Sequence, residues 1–231
     1  MTAMPQTSLP NFSLARANMV ESQLRPNQVT DQRLLEVMGA LPREIFVPSS
    51  LVGVAYLDES IPLISGRSLL QPMVLARLIQ AAEIKPTDRI LDLAPATGYS
   101  TLVLVSLAGS VVAVEPDALL NKEATNNVAE YASGKVQILA GAPVEGCGSH
   151  APFDVIFING SIEFLPKILL DQLAEGGRLV AVMRDYGSTP FAHTGQGRLY
   201  RKTKGKMSWT SLFDANIPPA PGFTLVRGFE F

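Results

Sequence analysis

The chain has 231 residues, 47% of them hydrophobic, and a formal net charge of −2 at pH 7. This length fits one domain with an ample core, and the near-neutral charge gives no reason to expect a nucleic-acid partner. We expect no membrane span, because no apolar run reaches about 18 residues. The polar residues 1–13 predict no signal peptide. The single cysteine, Cys147, is compatible with the cytoplasm.

The first third of the chain is predicted to be mainly helical. Apolar residues recur at helical spacing over 14–25. Thr30 is a good N-cap for a second helix, and Pro72 suits the first turn of a third helix ending near Glu83. Residues 55–70 have no helical period, so we expect them to be extended or looped.

From residue 89 onward, predicted strands and helices alternate. Strands are predicted at 89–93, 111–115, 136–140, 153–158 and 178–183, and helices at 99–108, 117–131 and 165–174. Gly176-Gly177 is interpreted as a helix stop before the last of these strands. The alternation indicates an α/β fold with a mainly parallel, doubly wound sheet. A hairpin around Lys204-Gly205-Lys206 and a strand at 223–231 are expected to follow.

The most informative segment is a strand, a turn of small residues and the start of a helix at 89–99. Small residues let a ligand approach the backbone, and a helix N-terminus offers free N–H groups. Glu115, at the end of the next strand and 115 − 92 = 23 residues after Asp92, can accept hydrogen bonds from ribose hydroxyls. Tyr99 stands where a dinucleotide fold places its third glycine, which disfavours a pyrophosphate.

The turn is similar to the hydrophobic-acid-x-G-x-G-x-G loop of class I S-adenosylmethionine methyltransferases. Asp92 matches the acidic position, which suits a cofactor with an amine and a sulfonium, and Gly98 matches the third glycine. Ala94 and Ala96 replace the first two glycines, and we expect both alanines to keep a negative φ. On this resemblance, the cofactor-binding residues are Asp92, Ala94, Ala96, Thr97, Gly98, Tyr99, Glu115, Gly141 and Ala142.

Further segments resemble the protein-L-isoaspartate O-methyltransferase family over roughly residues 19–183. They read MVESQLR at 19–25, VTDQRLLEVM at 29–38, LPREIFVP at 41–48, PFDVIF at 152–157 and LAEGGRLV at 173–180. The resemblance implies a Rossmann-like class I methyltransferase fold. It further implies S-adenosylmethionine as cofactor and methylation of isoaspartyl carboxylates in damaged proteins or peptides. Residues 1–88 would form the helical N-terminal region and active-site loop, and 89–231 the core with its hairpin.

Two more departures from the family pattern fall in functional places. Gly141-Ala142-Pro143 replaces the family's Gly-Asp-Gly, so one acceptor for the adenine amino group is lost. The family's Gly-x-Thr-x-Ser-Gln-Pro is here GRSLLQP at 66–72, so Leu70 replaces the serine beside the reacting carboxylate. The residues carried over to the acceptor site are Ser68, Leu70 and Gln71.

Three hypotheses follow: an isoaspartyl methyltransferase, a methyltransferase with another acceptor, and a degenerate paralogue that binds cofactor weakly or not at all. A carboxylate acceptor is already ionised at pH 7, so the lack of a catalytic base does not argue against either enzyme. We identify no metal-ligand cluster. The low charged fraction of 17% indicates either a surface covered by a second subunit or an unusually large core. Together with the aromatic residues Trp209, Phe213, Phe223 and Phe229, it leads us to expect a homodimer.

Overall fold

The structure is a computed structural model that describes residues 11–132, 134–184 and 194–225. In chain order its strands are β1 (Ile61–Pro62), β2 (Ser68–Leu69), β3 (Arg89–Leu93), β4 (Ser110–Glu115), β5 (Val136–Ala140), β6 (Phe153–Ile162), β7 (Leu173–Met183), β8 (Gly195–Thr203) and β9 (Lys206–Ala215). The strands β3–β9 form one seven-stranded sheet in the order β5-β4-β3-β6-β7-β8-β9. β1 and β2 form a separate small antiparallel pair.

The helices are α1 (Phe12–Met19), α2 (Gln32–Ala40), α3 (Pro72–Ala81), α4 (Tyr99–Leu107), α5 (Ala118–Tyr131) and α6 (Lys167–Asp171). A π-helical turn, Val20–Leu24, continues α1. Short 3₁₀ turns fill much of the region between α2 and β1. Among the described residues, no helix combines the length and the apolar character needed to cross a membrane.

The five strands β5, β4, β3, β6 and β7 run parallel, and β8 and β9 add an antiparallel edge. The chain moves from β3 outward to β5 and then returns to the other side of β3 with β6. Ligands of open α/β sheets bind at such a reversal, beyond the carboxyl ends of the strands. The fold therefore confirms the predicted α/β class and directs attention to the residues after β3, β4 and β6.

The sheet buries both of its faces. Ile90 and Val155 belong to one apolar cluster, whereas their strand neighbours Leu91 and Ile156 belong to another. Because successive strand residues point to opposite faces, this division means that core packs on each side of the sheet. Strands buried in this way read as continuous apolar runs, which is why β3, β4 and β6 could be located from the sequence.

Three details of the predicted elements are wrong. Asp31, rather than Thr30, caps α2, and its carboxylate accepts from the backbone of Leu34. The Thr30 amide donates instead to Gln80 Oε1. The helix predicted at 165–174 is short, and Gly176-Gly177 lies inside β7, in the irregular stretch where pairing shifts from Phe153↔Leu173 to Val155↔Arg178.

The predicted final strand is not formed at 223–225, and its remainder, 226–231, lies outside the described residues. The hairpin is confirmed: β8 and β9 pair up to Thr203↔Lys206. Lys204 and Gly205 both have positive φ, at 52° and 70°. Such a pair closes a tight hairpin with the twist that antiparallel strands favour.

Candidate functional site

The turn between β3 and α4 has a left-handed backbone at three positions. The φ values are 58° at Ala94, 55° at Ala96 and 94° at Gly98. The expectation of negative φ at the two alanines is therefore wrong. The turn keeps its shape through backbone bonds such as that from Ala94 N to Val114 O, at 2.9 Å. A left-handed backbone costs a residue with a Cβ about 1–2 kcal/mol, so both alanines are strained.

Gly98 is the position where packing also demands glycine. A Cβ there would lie 3.1 Å from Val128 Cγ2 and 3.2 Å from the Ala124 backbone on α5. Tyr99, the first residue of α4, is fully buried and packs edge-on against Phe46 with centroids 5.3 Å apart. α5 and the N-terminal region therefore both pack against the turn.

Glu115, at the end of β4, is fully buried beside this turn. Its Oε2 accepts from the Ala96 amide at 2.8 Å. Its Oε1 accepts from the Asp117 amide at 3.1 Å and from Arg67 Nη1 at 2.6 Å. Arg67 Nη2 also donates to the Ala94 carbonyl at 2.6 Å. Glu115 thus lies next to the turn, as predicted, while its role toward a ribose stays a prediction.

Asp92, at the predicted acidic position, is fully buried among protein donors. Ser100 and Thr101, in the first turn of α4, donate to Oδ2 at 2.9 and 2.6 Å, and Asn159 donates to Oδ1 at 2.6 Å. Burial raises the pKa of Asp92 to about 7, although these three hydrogen bonds lower it. Asp92 therefore links β3 to α4 and β6 through hydrogen bonds. Its contact with a cofactor stays a prediction.

Thr97 faces the N-terminal region and α5. Its hydroxyl donates to the Phe46 carbonyl at 2.7 Å, and Asn127 donates to the Thr97 carbonyl at 3.0 Å. A cavity of about 280 Å³ opens beside these groups, between Ile64 and Leu120. The cavity therefore adjoins the turn on the side of the N-terminal region.

Gly141 and Ala142 follow β5 directly and are exposed. Ala140, the last residue of β5, pairs with Glu115. This register places the predicted adenine-binding residues at the same sheet edge as Glu115. Because residue 142 is an alanine, it brings no side-chain acceptor to that edge.

The predicted acceptor segment is held close to the turn. β2 pairs with β1 through Pro62↔Ser68 and Ile61↔Leu69. Leu70 is buried, and its carbonyl accepts from Arg43 Nη2 at 2.6 Å. Ser68 and Gln71 are half-buried. The segment meets the turn through Arg67, so the structure brings the two predicted halves of the site together.

Sequence reasoning missed three residues of this assembly: Arg67, Asn159 and Arg43. Asn159 could have been found, since it directly follows the apolar run predicted as a strand, where parallel strands place ligand-binding residues. Nothing in the local spacing assigns a partner to either arginine. Among the described residues, no group of three or more His, Cys, Asp or Glu could hold a metal ion.

The sheet order, the left-handed turn after the central strand and the acid ending the next strand define a class I methyltransferase fold. A solved protein-L-isoaspartate O-methyltransferase matches 90% of this chain and 66% of its own with a TM-score of 0.76 at 21% identity. A Plasmodium falciparum structure described as a beta-aspartate methyltransferase in complex with S-adenosyl-L-homocysteine matches 92% of this chain and 99% of its own, with a TM-score of 0.72 at 20% identity. Likenesses at such identities support the fold.

Sequence comparison identifies the family. The family model "Protein-L-isoaspartate(D-aspartate) O-methyltransferase (PCMT)" matches residues 15–214. The protein-L-isoaspartate O-methyltransferase of Koribacter versatilis (strain Ellin345) is 34% identical over 224 residues, which cover 96% of each chain. The chain belongs to the protein-L-isoaspartate O-methyltransferase family.

Proposed function

We propose that this protein is an S-adenosylmethionine-dependent methyltransferase that methylates isoaspartyl carboxylates in proteins or peptides as a step of repair. Family membership supports the activity. The observation that carries the proposal is the turn at 94–98. It keeps the glycine-type backbone at Ala94 and Ala96 despite their side chains, and the buried Glu115 is bonded to it.

The residues present fit the cofactor. The turn backbone at 94–98 would lie against it, Glu115 would accept from the ribose, and the edge at Gly141-Ala142 would adjoin the adenine. S-Adenosylmethionine, when bound, supplies a methyl group on a sulfonium. The chain's own residues then have to position the acceptor carboxylate and exclude water, since an ionised carboxylate needs no general base. The segment with Ser68, Leu70 and Gln71 would do this.

The test has two stages. Calorimetry with S-adenosylhomocysteine and S-adenosylmethionine measures cofactor binding. Transfer of a labelled methyl group is then measured on an isoaspartyl peptide, with the same peptide containing ordinary aspartate as the control. Binding together with transfer only to the isoaspartyl peptide is the expected result. Cofactor binding with no methyl transfer to either peptide would contradict the acceptor assignment. It would favour a different acceptor, and the apolar side chain of Leu70 is the observation that supports that alternative.

One observation favours the degenerate paralogue as a second candidate. Glu115 already accepts three hydrogen bonds within the protein, and one comes from the cationic Arg67. If neither the wild-type protein nor a variant that lacks the Arg67 side chain binds the cofactor, the paralogue hypothesis replaces the proposal.

We also propose a homodimer, a cytoplasmic location and no nucleic-acid partner. Trp209 on β9 is 55% exposed, which supports an interface on this edge strand. Phe223 is fully buried and cannot contribute, which corrects its expected role; Phe213 is half-buried, and Phe229 lies outside the described residues. Light scattering should give twice the monomer mass, and Trp209→Ser should lower it; a monomer at micromolar concentration would contradict the dimer.

A further inference from the structure

We infer that Arg67 is a positioning residue that competes with the cofactor's ribose for Glu115, and that cofactor binding loosens the acceptor segment. The inference rests on the proposed function, because it assumes that the ribose is recognised by Glu115. It concerns a side chain that lies within the acceptor segment and contacts the cofactor turn.

The acceptor capacity of Glu115 is nearly used up by the protein. A carboxylate offers about four lone-pair positions. Three donors occupy Glu115: the amides of Ala96 and Asp117 and the guanidinium of Arg67. The residue is fully buried. Two ribose hydroxyls therefore cannot both donate to this carboxylate unless one of the present donors leaves.

Arg67 is the donor that can leave. Two of the three donors are backbone amides, one fixed in the turn and the other at the N-cap of α5. Arg67 contributes a flexible side chain from the connection between β1 and β2. Its guanidinium bridges Glu115 and the Ala94 carbonyl, each at 2.6 Å, so it covers both predicted cofactor contacts at once.

The connection that carries Arg67 is a tight, separately anchored tip. Leu63 N donates to the Arg67 carbonyl at 2.8 Å, and Arg67 N donates to the Ile64 carbonyl at 3.0 Å. Ser65 and Gly66 have positive φ values of 55° and 69°. Ser65 Oγ also donates at 2.7 Å to Oδ2 of Asp117, the N-cap of α5, so two side chains of the tip attach to the stretch between β4 and α5.

Displacing Arg67 therefore acts on the acceptor residues. Ser68 follows Arg67 directly, and Leu70 lies three positions beyond it. A cofactor that takes Glu115 from Arg67 removes one of the two side-chain attachments of the tip and leaves only that of Ser65 to Asp117, which loosens the segment on which the acceptor is to bind. Because coupling between two sites is reciprocal, the position of this segment also sets the cofactor affinity.

Calorimetry with S-adenosylhomocysteine tests the competition directly. Arg67→Ala should tighten binding on the order of tenfold, which corresponds to removing a competitor worth about 1.4 kcal/mol. Arg67→Lys keeps the positive charge but cannot contact Glu115 and the Ala94 carbonyl at once. Its cofactor affinity should lie between those of Arg67→Ala and the wild type. Arg201→Ala, which removes one positive charge from the ion pair with Glu83, should leave the affinity unchanged. A purely structural role for Arg67 predicts the opposite sign, since its loss would then weaken binding.

A second readout uses the wild-type protein alone. Hydrogen exchange of a peptide covering 63–69 should become faster when S-adenosylhomocysteine binds, because the tip loses its attachment to Glu115. If Arg67→Ala does not fold, this measurement on the wild type tests the competition by itself. Unchanged or slower exchange, or equal or weaker binding by a folded Arg67→Ala, overturns the inference while leaving the proposed function intact. Absence of binding by the wild type and by every variant overturns the proposed function and the inference with it.

Discussion

The guanidinium carbon of Arg43 lies 5.0 Å from the centroid of the Tyr99 ring, and both side chains are fully buried. Arg43 also donates from Nε to the Ala55 carbonyl at 2.8 Å and from Nη2 to the Leu70 carbonyl at 2.6 Å. Burial lowers the pKa of Arg43, and Tyr99 opposes this shift. One buried cation therefore joins the N-terminal region, the acceptor segment and the cofactor turn.

Arg43→Lys should destabilise the fold by about 2–4 kcal/mol, because a lysine cannot bond both carbonyls and still lie over the ring. The free energy of unfolding in urea measures the loss. Arg25→Lys is the control: its ion pair with Glu21 is exposed, so the change should stay within about 0.5 kcal/mol. Equal effects at the two positions would show that Arg43 does not hold the three segments together.

Glycine at the strained turn positions should stabilise the protein. Ala96→Gly relieves a left-handed backbone that costs about 1–2 kcal/mol, and it adds an entropic cost of ordering glycine of about 0.5–1 kcal/mol. The net gain in stability is therefore about 0–1.5 kcal/mol. Ala113→Gly is the matched control, because Ala113 is equally buried but lies in β4 and should lose stability. Equal losses in urea denaturation would argue against strain in the turn.

The elevated pKa of Asp92 predicts a pH-dependent stability. The folded pKa of about 7 lies above the ordinary value near 4, so the folded state keeps a proton that the unfolded chain releases. The stability from this group is complete below about pH 4 and is lost as the pH rises through 7, with a slope of at most about 1.4 kcal/mol per pH unit. In urea denaturation, the free energy of unfolding of Asp92→Asn should decline less between pH 5 and 8 than that of the wild type. Identical pH profiles for the two proteins would contradict the raised pKa of Asp92.

The sequence predicts those parts of the fold that depend on local patterns. Apolar runs between turn residues predict the strands at 89–93 and 136–140, and the structure confirms both. The start of α2 depends on Gln80, which engages Thr30 from 50 residues away and leaves Asp31 as the cap. The glycines at 176–177 look like a helix stop, yet they lie within β7, in the irregular stretch between the pairs that Leu173 and Arg178 form with β6.

The candidate site also contains one part that local sequence patterns predict and one part that they do not. The spacing of Asp92 and Glu115 follows from the strand–turn–helix pattern, and the structure places both at the turn. The ion pair of Glu115 with Arg67 joins residues 48 positions apart. No local pattern encodes such a pair, because it depends on how the β1–β2 connection folds over the sheet edge.

Restoring an acid after β5 should tighten cofactor binding. Ala142→Asp adds an acceptor at the edge next to Glu115, where the family pattern places one for the adenine amino group. The expected gain is about 1–3 kcal/mol in binding free energy, read by calorimetry with S-adenosylhomocysteine. Ala129→Asp on the exposed side of α5 makes the same charge change elsewhere and should have no effect. No gain from Ala142→Asp would mean that residues 141–143 are assigned to the wrong part of the family pattern.

Leu70→Ser should raise kcat/KM on an isoaspartyl peptide roughly tenfold or more, because a serine can hold the acceptor carboxylate in line with the methyl group, whereas a leucine only excludes water. Leu69→Ser is the matched control, since Leu69 and Leu70 are both buried, at 4% and 5% exposure, and either change sacrifices core packing. The control should lose stability without gaining turnover. Ser68 can shrink the gain if it already contacts the acceptor.

The position of Ser68 limits how far it can take the place of a serine at position 70. The regular strand ends at Leu69, so side-chain alternation does not extend to Leu70, and Ser68 and Leu70 need not share a face. We therefore expect most of the tenfold gain to survive. If the wild type and Leu70→Ser both bind cofactor and neither methylates the peptide, isoaspartate is not the acceptor, and the apolar side chain of Leu70 indicates a pocket shaped for a different one.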